Sequence, residues 1–105
     1  MKRVQAVIRP EKFENVQHML AAAGVIGLMV HDVRGHGSEA ESSGEYRGVP
    51  FAMTVKHKLL VDLLVDDEEV PAVIAIIQES ARTGAAGDGA IFVLDVAAVY
   101  PINNV

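Results

Sequence analysis

Lys56-His57-Lys58-Leu59-Leu60-Val61-Asp62-Leu63-Leu64-Val65 is the stretch on which the fold turns. From Leu59 to Val65 the apolar residues run almost without interruption, broken only by Asp62. A short apolar run of this kind suits a strand covered on both faces. Asp66-Asp67-Glu68-Glu69 follows at once. Carboxylates are favourable at the positive end of a helix dipole, so this run predicts a helix start. Val70, Val73, Ile74, Ile77 and Ala81 then mark one helix face, and Pro71 is tolerated because it falls in the first turn. Gly84 is expected to cap the helix. Ile91 to Val96 is expected to form the next strand, and residues 97–105 a tail.

The amino-terminal half repeats that order. Val4, Ala6 and Ile8 alternate with Arg3 and Gln5, the pattern of a half-buried strand. Pro10 suits a helix start, where its missing N–H costs nothing. Phe13, Val16, Leu20 and Ala23 follow at helical spacing, and Gly24 stands where a glycine cap falls. Val25 to Val33 is a second apolar run of strand length. Between the halves, residues 35–45 hold three glycines, three serines and three glutamates. Such a segment buries little surface, and long loops in compact domains are usually functional. The loop is expected to span residues 35–54.

The order strand, helix, strand, long loop, strand, helix, strand predicts an α+β fold of ferredoxin-like βαββαβ type, over a single domain of residues 1–105. Its four-stranded antiparallel sheet carries two helices on one face. The other face is also apolar and needs a cover, for which another subunit is the natural candidate.

Composition narrows the function. Half of the 105 residues are hydrophobic, enough for a core, and there is no cysteine, which removes disulfides and thiolate chemistry. The net charge of −5 and the lack of a basic run argue against a nucleic-acid partner. No signal-peptide pattern follows Met1-Lys2-Arg3-Val4, and no stretch approaches a membrane span, so a cytoplasmic protein without membrane insertion is expected. Nothing assembles a nucleophile, a base and an orienting group, so no enzyme is expected.

Two segments are candidates for binding. Thr83-Gly84-Ala85-Ala86-Gly87-Asp88-Gly89-Ala90 (83–90) has glycines that permit close backbone approach, and its N–H groups suit phosphate oxygens. The same composition also suits a plain helix-to-strand connection. Gly44-Glu45-Tyr46-Arg47-Gly48-Val49-Pro50-Phe51 sets aromatic and arginine side chains on the loop, residue types that favour protein contacts. His31, His36 and His57 are the residues from which a metal site at the loop base would be built, but their spacing matches no metal motif and a metal is not expected.

Together these residues resemble the PII signal-transduction family. The loop signature is Tyr46-Arg47-Gly48 with an aromatic at Phe51, and the second signature runs from Thr83 through Gly87-Asp88-Gly89 to Phe92. Gly24, Gly27, Gly35, Gly37, Lys58 and Asp62 stand in register without gaps. The resemblance implies a homotrimer that binds a small-molecule effector and controls a membrane transporter or an enzyme. It implies adenine nucleotides between subunits, with the base near Gly27, Met29, Asp62 and Leu64 and the phosphates near Gly35, Gly37, Gly87, Asp88 and Gly89. Lys58 would hold an anionic effector, and the loop (the T-loop), with Glu39, Tyr46, Arg47 and Phe51, would contact the partner.

The sequence also departs from that family. Ala90 replaces a basic residue, Pro101 and Asn103 replace two arginines, and Ser38 and Glu39 replace an arginine and a glutamine. Phe51 replaces the tyrosine that carries a uridylyl group. ATP is therefore expected to bind weakly and ADP or AMP better. A bicarbonate- or metal-responsive relative with little nucleotide binding is the alternative.

Overall fold

The computed structural model describes residues 1–35, 42–46, 49–53 and 56–103, with the second and third of these segments described as backbone only. Strand β1 is Lys2–Ile8. A 3-10 turn at Pro10–Lys12, with Pro10 in its first position, leads into helix α1, Phe13–Ala22. Gly24 (φ 89°) ends that helix: its N–H donates to the Ala21 carbonyl at 3.0 Å, and the Val25 N–H to the Leu20 carbonyl at 2.9 Å. These two bonds satisfy carbonyls that the helix end would leave open, and they need a positive φ at the glycine.

Strand β2 is Met29–Gly35. It starts four residues later than the apolar run suggested, and it takes in Gly35, which composition assigned to the loop. Val25 and Leu28 pack against the core instead of pairing, while Ile26 points out to solvent. Within the segment read as loop, β3 (Ser42–Tyr46) and β4 (Val49–Met53) pair as an antiparallel hairpin, with Tyr46 opposite Val49.

The decisive run forms β5, Lys56–Val65. A 3-10 turn at Asp67–Glu69 precedes helix α2, Val70–Ala81. That helix ends in an extended Arg82, so Gly84 (φ 89°) serves the following turn rather than the cap. Strand β6 is Gly89–Asp95.

The main sheet has the order β2-β5-β1-β6, antiparallel throughout. Its register assigns the faces. Val4, Ala6 and Ile8 of β1 share one face with Val61, Leu63 and Val65 of β5, and all are buried against Val16 and Leu20 of α1 and Val73 and Ile77 of α2. The fold is the ferredoxin-like arrangement expected from the element order. On the opposite face Arg3, Gln5 and Val7 align with Leu64, Asp62 and Leu60 of β5 and with Leu94, Phe92 and Ala90 of β6. Leu64, Phe92 and Leu94 are exposed large hydrophobics on that uncovered face. Among the described residues, no helix is long and apolar enough to cross a membrane.

Candidate functional site

The uncovered face carries its polar groups at two places along β5. The first is a cleft of about 460 Å³ lined by Arg3, Gly27, Leu28, Met29, Asp62, Leu63 and Leu64. It therefore gathers Gly27, Met29, Asp62 and Leu64, which come from two separate strands and a connection. They meet because Met29 pairs directly with Asp62 across β2 and β5.

Asp62 is the polar centre of this cleft. Its side chain is only 2 % exposed, whereas that of Arg3 beside it is 46 % exposed. Arg3 donates from Nε to both carboxylate oxygens, at 3.0 and 3.1 Å, and from Nη2 to Oδ2 at 2.6 Å. The Gln5 amide approaches Oδ2 at 3.5 Å. The Arg3 guanidinium holds the Asp62 carboxyl below the usual carboxylate range, and burial opposes that shift. The pair forms because alternation on β1 sends Arg3 and Gln5 to the same face as Asp62.

The second place is the glycine-rich segment at the other end. Asp88 organises it. Its carboxylate accepts from the Thr83 N–H at 2.9 Å, the Gly84 N–H at 3.0 Å, the Thr83 hydroxyl, and Arg9 Nε at 3.0 Å. Arg9 Nη2 also donates to the Ala86 carbonyl at 2.8 Å. The Thr83 hydroxyl above all, with the Thr83 N–H and Arg9, keeps Asp88 far below the ordinary carboxylate range. Asp88 is thus an ionised anchor that shapes the turn. Lys58 is buried on the uncovered face, and its Nζ donates to the Gly87 carbonyl, tying the segment to β5. Gly35 closes β2 opposite Lys56, at the same end of the sheet.

Lys58 and Asp62 are four residues apart on one face of β5, hence roughly 13 Å apart along the strand. The two places are therefore separate surfaces of one chain. A second cavity, about 330 Å³, lies between α2 and the start of β6 and shares Asp88 and Gly89 with the glycine-rich turn.

The histidines do not come together. His31 pairs with Leu60 on the uncovered face, whereas His57 pairs with Arg34 on the helix face. His57 Nε2 lies 3.0 Å from Asp32 Oδ1. Among the described residues no group of three or more His, Cys, Asp or Glu side chains is placed to hold a metal. His36, Gly37, Ser38, Glu39 and Arg47 lie outside the described residues, and Tyr46 and Phe51 are described only as backbone.

Arg3 and Arg9 are site residues that sequence reasoning passed over. The signal for Arg3 was present, since the alternation on β1 that buries Val4 must set Arg3 on the opposite face. The Arg9–Asp88 contact spans 79 positions and has no local signature.

Comparison with known proteins bears on the whole chain. Residues 1–104 match the family described as nitrogen regulatory protein P-II. The nitrogen regulatory protein P-II of Nostoc punctiforme is 41% identical over 104 residues, covering 99% of this chain and 93% of that protein. P-II 2 of Methanothermobacter thermautotrophicus is also 41% identical, with 99% and 90% covered. P-II 1 of Escherichia coli is 36% identical, with 99% and 93% covered. A ferredoxin-like sheet, a glycine-rich turn anchored by its aspartate and a family match from end to end converge, and the chain belongs to the P-II nitrogen regulatory protein family, whose members are signalling proteins rather than enzymes.

Proposed function

We propose that this P-II regulatory protein works as a homotrimer that binds an adenine nucleotide with few phosphates, ADP or AMP, in clefts between subunits. Its 35–54 segment then controls a transporter or an enzyme. The family binds adenine nucleotides as effectors and is typically trimeric. The observation that carries the reading is the cleft itself: Gly27, Met29, Asp62 and Leu64 line one concavity on the uncovered sheet face. A second subunit laid on that face would bury Leu64, Phe92 and Leu94 and would bring its glycine-rich turn toward the cleft of its neighbour.

The preference for few phosphates rests on charge. Ala90, Pro101 and Asn103 carry no cation, and the Arg9 guanidinium near the turn is engaged by the Asp88 carboxylate. A hydrogen bond to a charged group contributes about 1.5–3 kcal/mol, so the absence of several lowers triphosphate affinity by orders of magnitude. Titration calorimetry with AMP, ADP and ATP tests this. AMP and ADP are expected to bind and ATP to bind more weakly. ATP binding more tightly than ADP contradicts the reading.

A small anion such as bicarbonate is the second reading. It is favoured by the buried Lys58 ammonium beside the glycine-rich turn. Bicarbonate titration of the protein and of Lys58→Ala separates this reading from the first.

A further inference from the structure

The cavity of about 330 Å³ between α2 and the start of β6 has an apolar floor and a polar mouth. Ile8 and Ile77 line it as buried residues, whereas Gln78, Arg82 and Gly89 line it as exposed ones. The mouth therefore borders the glycine-rich turn, with Arg82 on the helix side and Gly89 and Ala90 on the strand side. Ala90 contributes only a methyl group to its wall. The Asp88 carboxylate borders the cavity too, but Arg9 and the Thr83 and Gly84 N–H groups already engage it.

A phosphate seated at this turn needs a cation, because a charge taken out of water is costly until it is paired. Two of the cations bordering the turn are committed to the turn itself. Arg9 holds the Asp88 carboxylate and the Ala86 carbonyl. Lys58 donates to the Gly87 carbonyl from β5. Arg82 is placed differently. It is the extended residue that ends α2, directly before Thr83, and among the described residues no hydrogen bond or ion pair engages it. Its guanidinium is a planar fork of N–H donors that matches two phosphate oxygens at once.

We infer that Arg82 supplies the cation for the phosphate bound at this turn, reaching across the mouth of the cavity from the end of α2. Arg9 and Lys58 are positioning residues here, because they act on the phosphate by holding the turn. One guanidinium neutralises one unit of charge. A nucleotide with few phosphates gains from it in full, and the further charges of a triphosphate go unmatched. The inference rests on reading the turn as the phosphate end of a nucleotide site, and it adds to that reading a binding residue from outside the glycine-rich signature.

Calorimetry with ADP on the intact protein, on Arg82→Gln and on Arg82→Lys tests the inference, with the urea midpoint of each measured alongside. Arg82 is exposed, so both variants are expected to keep the wild-type midpoint. Arg82→Gln is expected to weaken ADP on the order of tenfold, the loss of one charged hydrogen bond. Arg82→Lys keeps the charge without the fork and is expected to lose less. ADP affinity unchanged in Arg82→Gln overturns the inference and leaves the nucleotide reading standing. A loss of affinity that comes with a lowered urea midpoint also overturns it, because the residue then acts through the fold. Failure of ADP to bind the wild-type protein removes both.

Discussion

At Gly89 a single added methyl group would run straight into backbone. The residue opens β6 at φ 116°, and an added Cβ would lie 1.8 Å from the Val7 carbonyl oxygen and 2.9 Å from its carbon. Both atoms are backbone of the central strand β1, so no side-chain rotation relieves the clash. The start of β6 must move away from β1 and give up the Ile8–Gly89 and Val7–Ala90 pairs. Two lost ladder bonds at about 1 kcal/mol each, with backbone strain of about 1–3 kcal/mol, place the cost of Gly89→Ala near 3–5 kcal/mol. Gly84 is the internal control. It shares a positive φ of 89°, but nothing lies within 4 Å of its virtual Cβ. Gly84→Ala therefore carries the strain alone, about 1–2 kcal/mol. Urea unfolding of both variants at one fixed protomer concentration measures the difference, since assembly makes stability concentration-dependent. Costs for the two variants within about 0.5 kcal/mol of each other, the usual limit of additivity, would refute the argument.

Other outcomes follow from the same contacts. Arg3→Met is expected to lower the urea midpoint more than Asp62→Asn does, because Arg3 is half-exposed and rehydrates whereas Asp62 loses its guanidinium while buried. The Asp62 carboxyl is depressed in the folded state, so its contribution is complete above the unfolded pKa of about 3.9 and is lost as pH falls through the lower folded value. The stability gap between wild type and Arg3→Met should therefore shrink as pH falls below about 4 in denaturation series; a gap that widens there contradicts the pairing. Leu20→Ala, at a fully buried position of α1, is expected to cost about 3 kcal/mol in the same assay.

Much of this protein was legible from its sequence, for reasons that can be named. The apolar run from Leu59 to Val65 can be buried only by covering both sides of a strand. Gly24 falls where a helix end needs a positive φ. Signals of that kind are local. The start of β2 was misplaced because Val25 and Leu28 are apolar for the sake of core packing, and periodicity does not distinguish packing from pairing. The β3–β4 hairpin escaped because β3 is polar and β4, though apolar, carries Pro50, which argues against a strand. The Arg3–Asp62 and Arg9–Asp88 pairs join residues far apart in the chain, and only the register of β1 against β5 and β6 brings them together. The register of β2 against β5 sets His31 and His57, the low-weight metal candidates, on opposite faces of the sheet.

Native mass spectrometry of the protein with equimolar AMP, ADP and ATP tests the central claim most directly, because it reads assembly and ligand together. The expected spectrum shows a species of three 11.2 kDa chains carrying up to three AMP or ADP molecules and little ATP. A monomer, or a trimer loaded chiefly with ATP, would contradict the account.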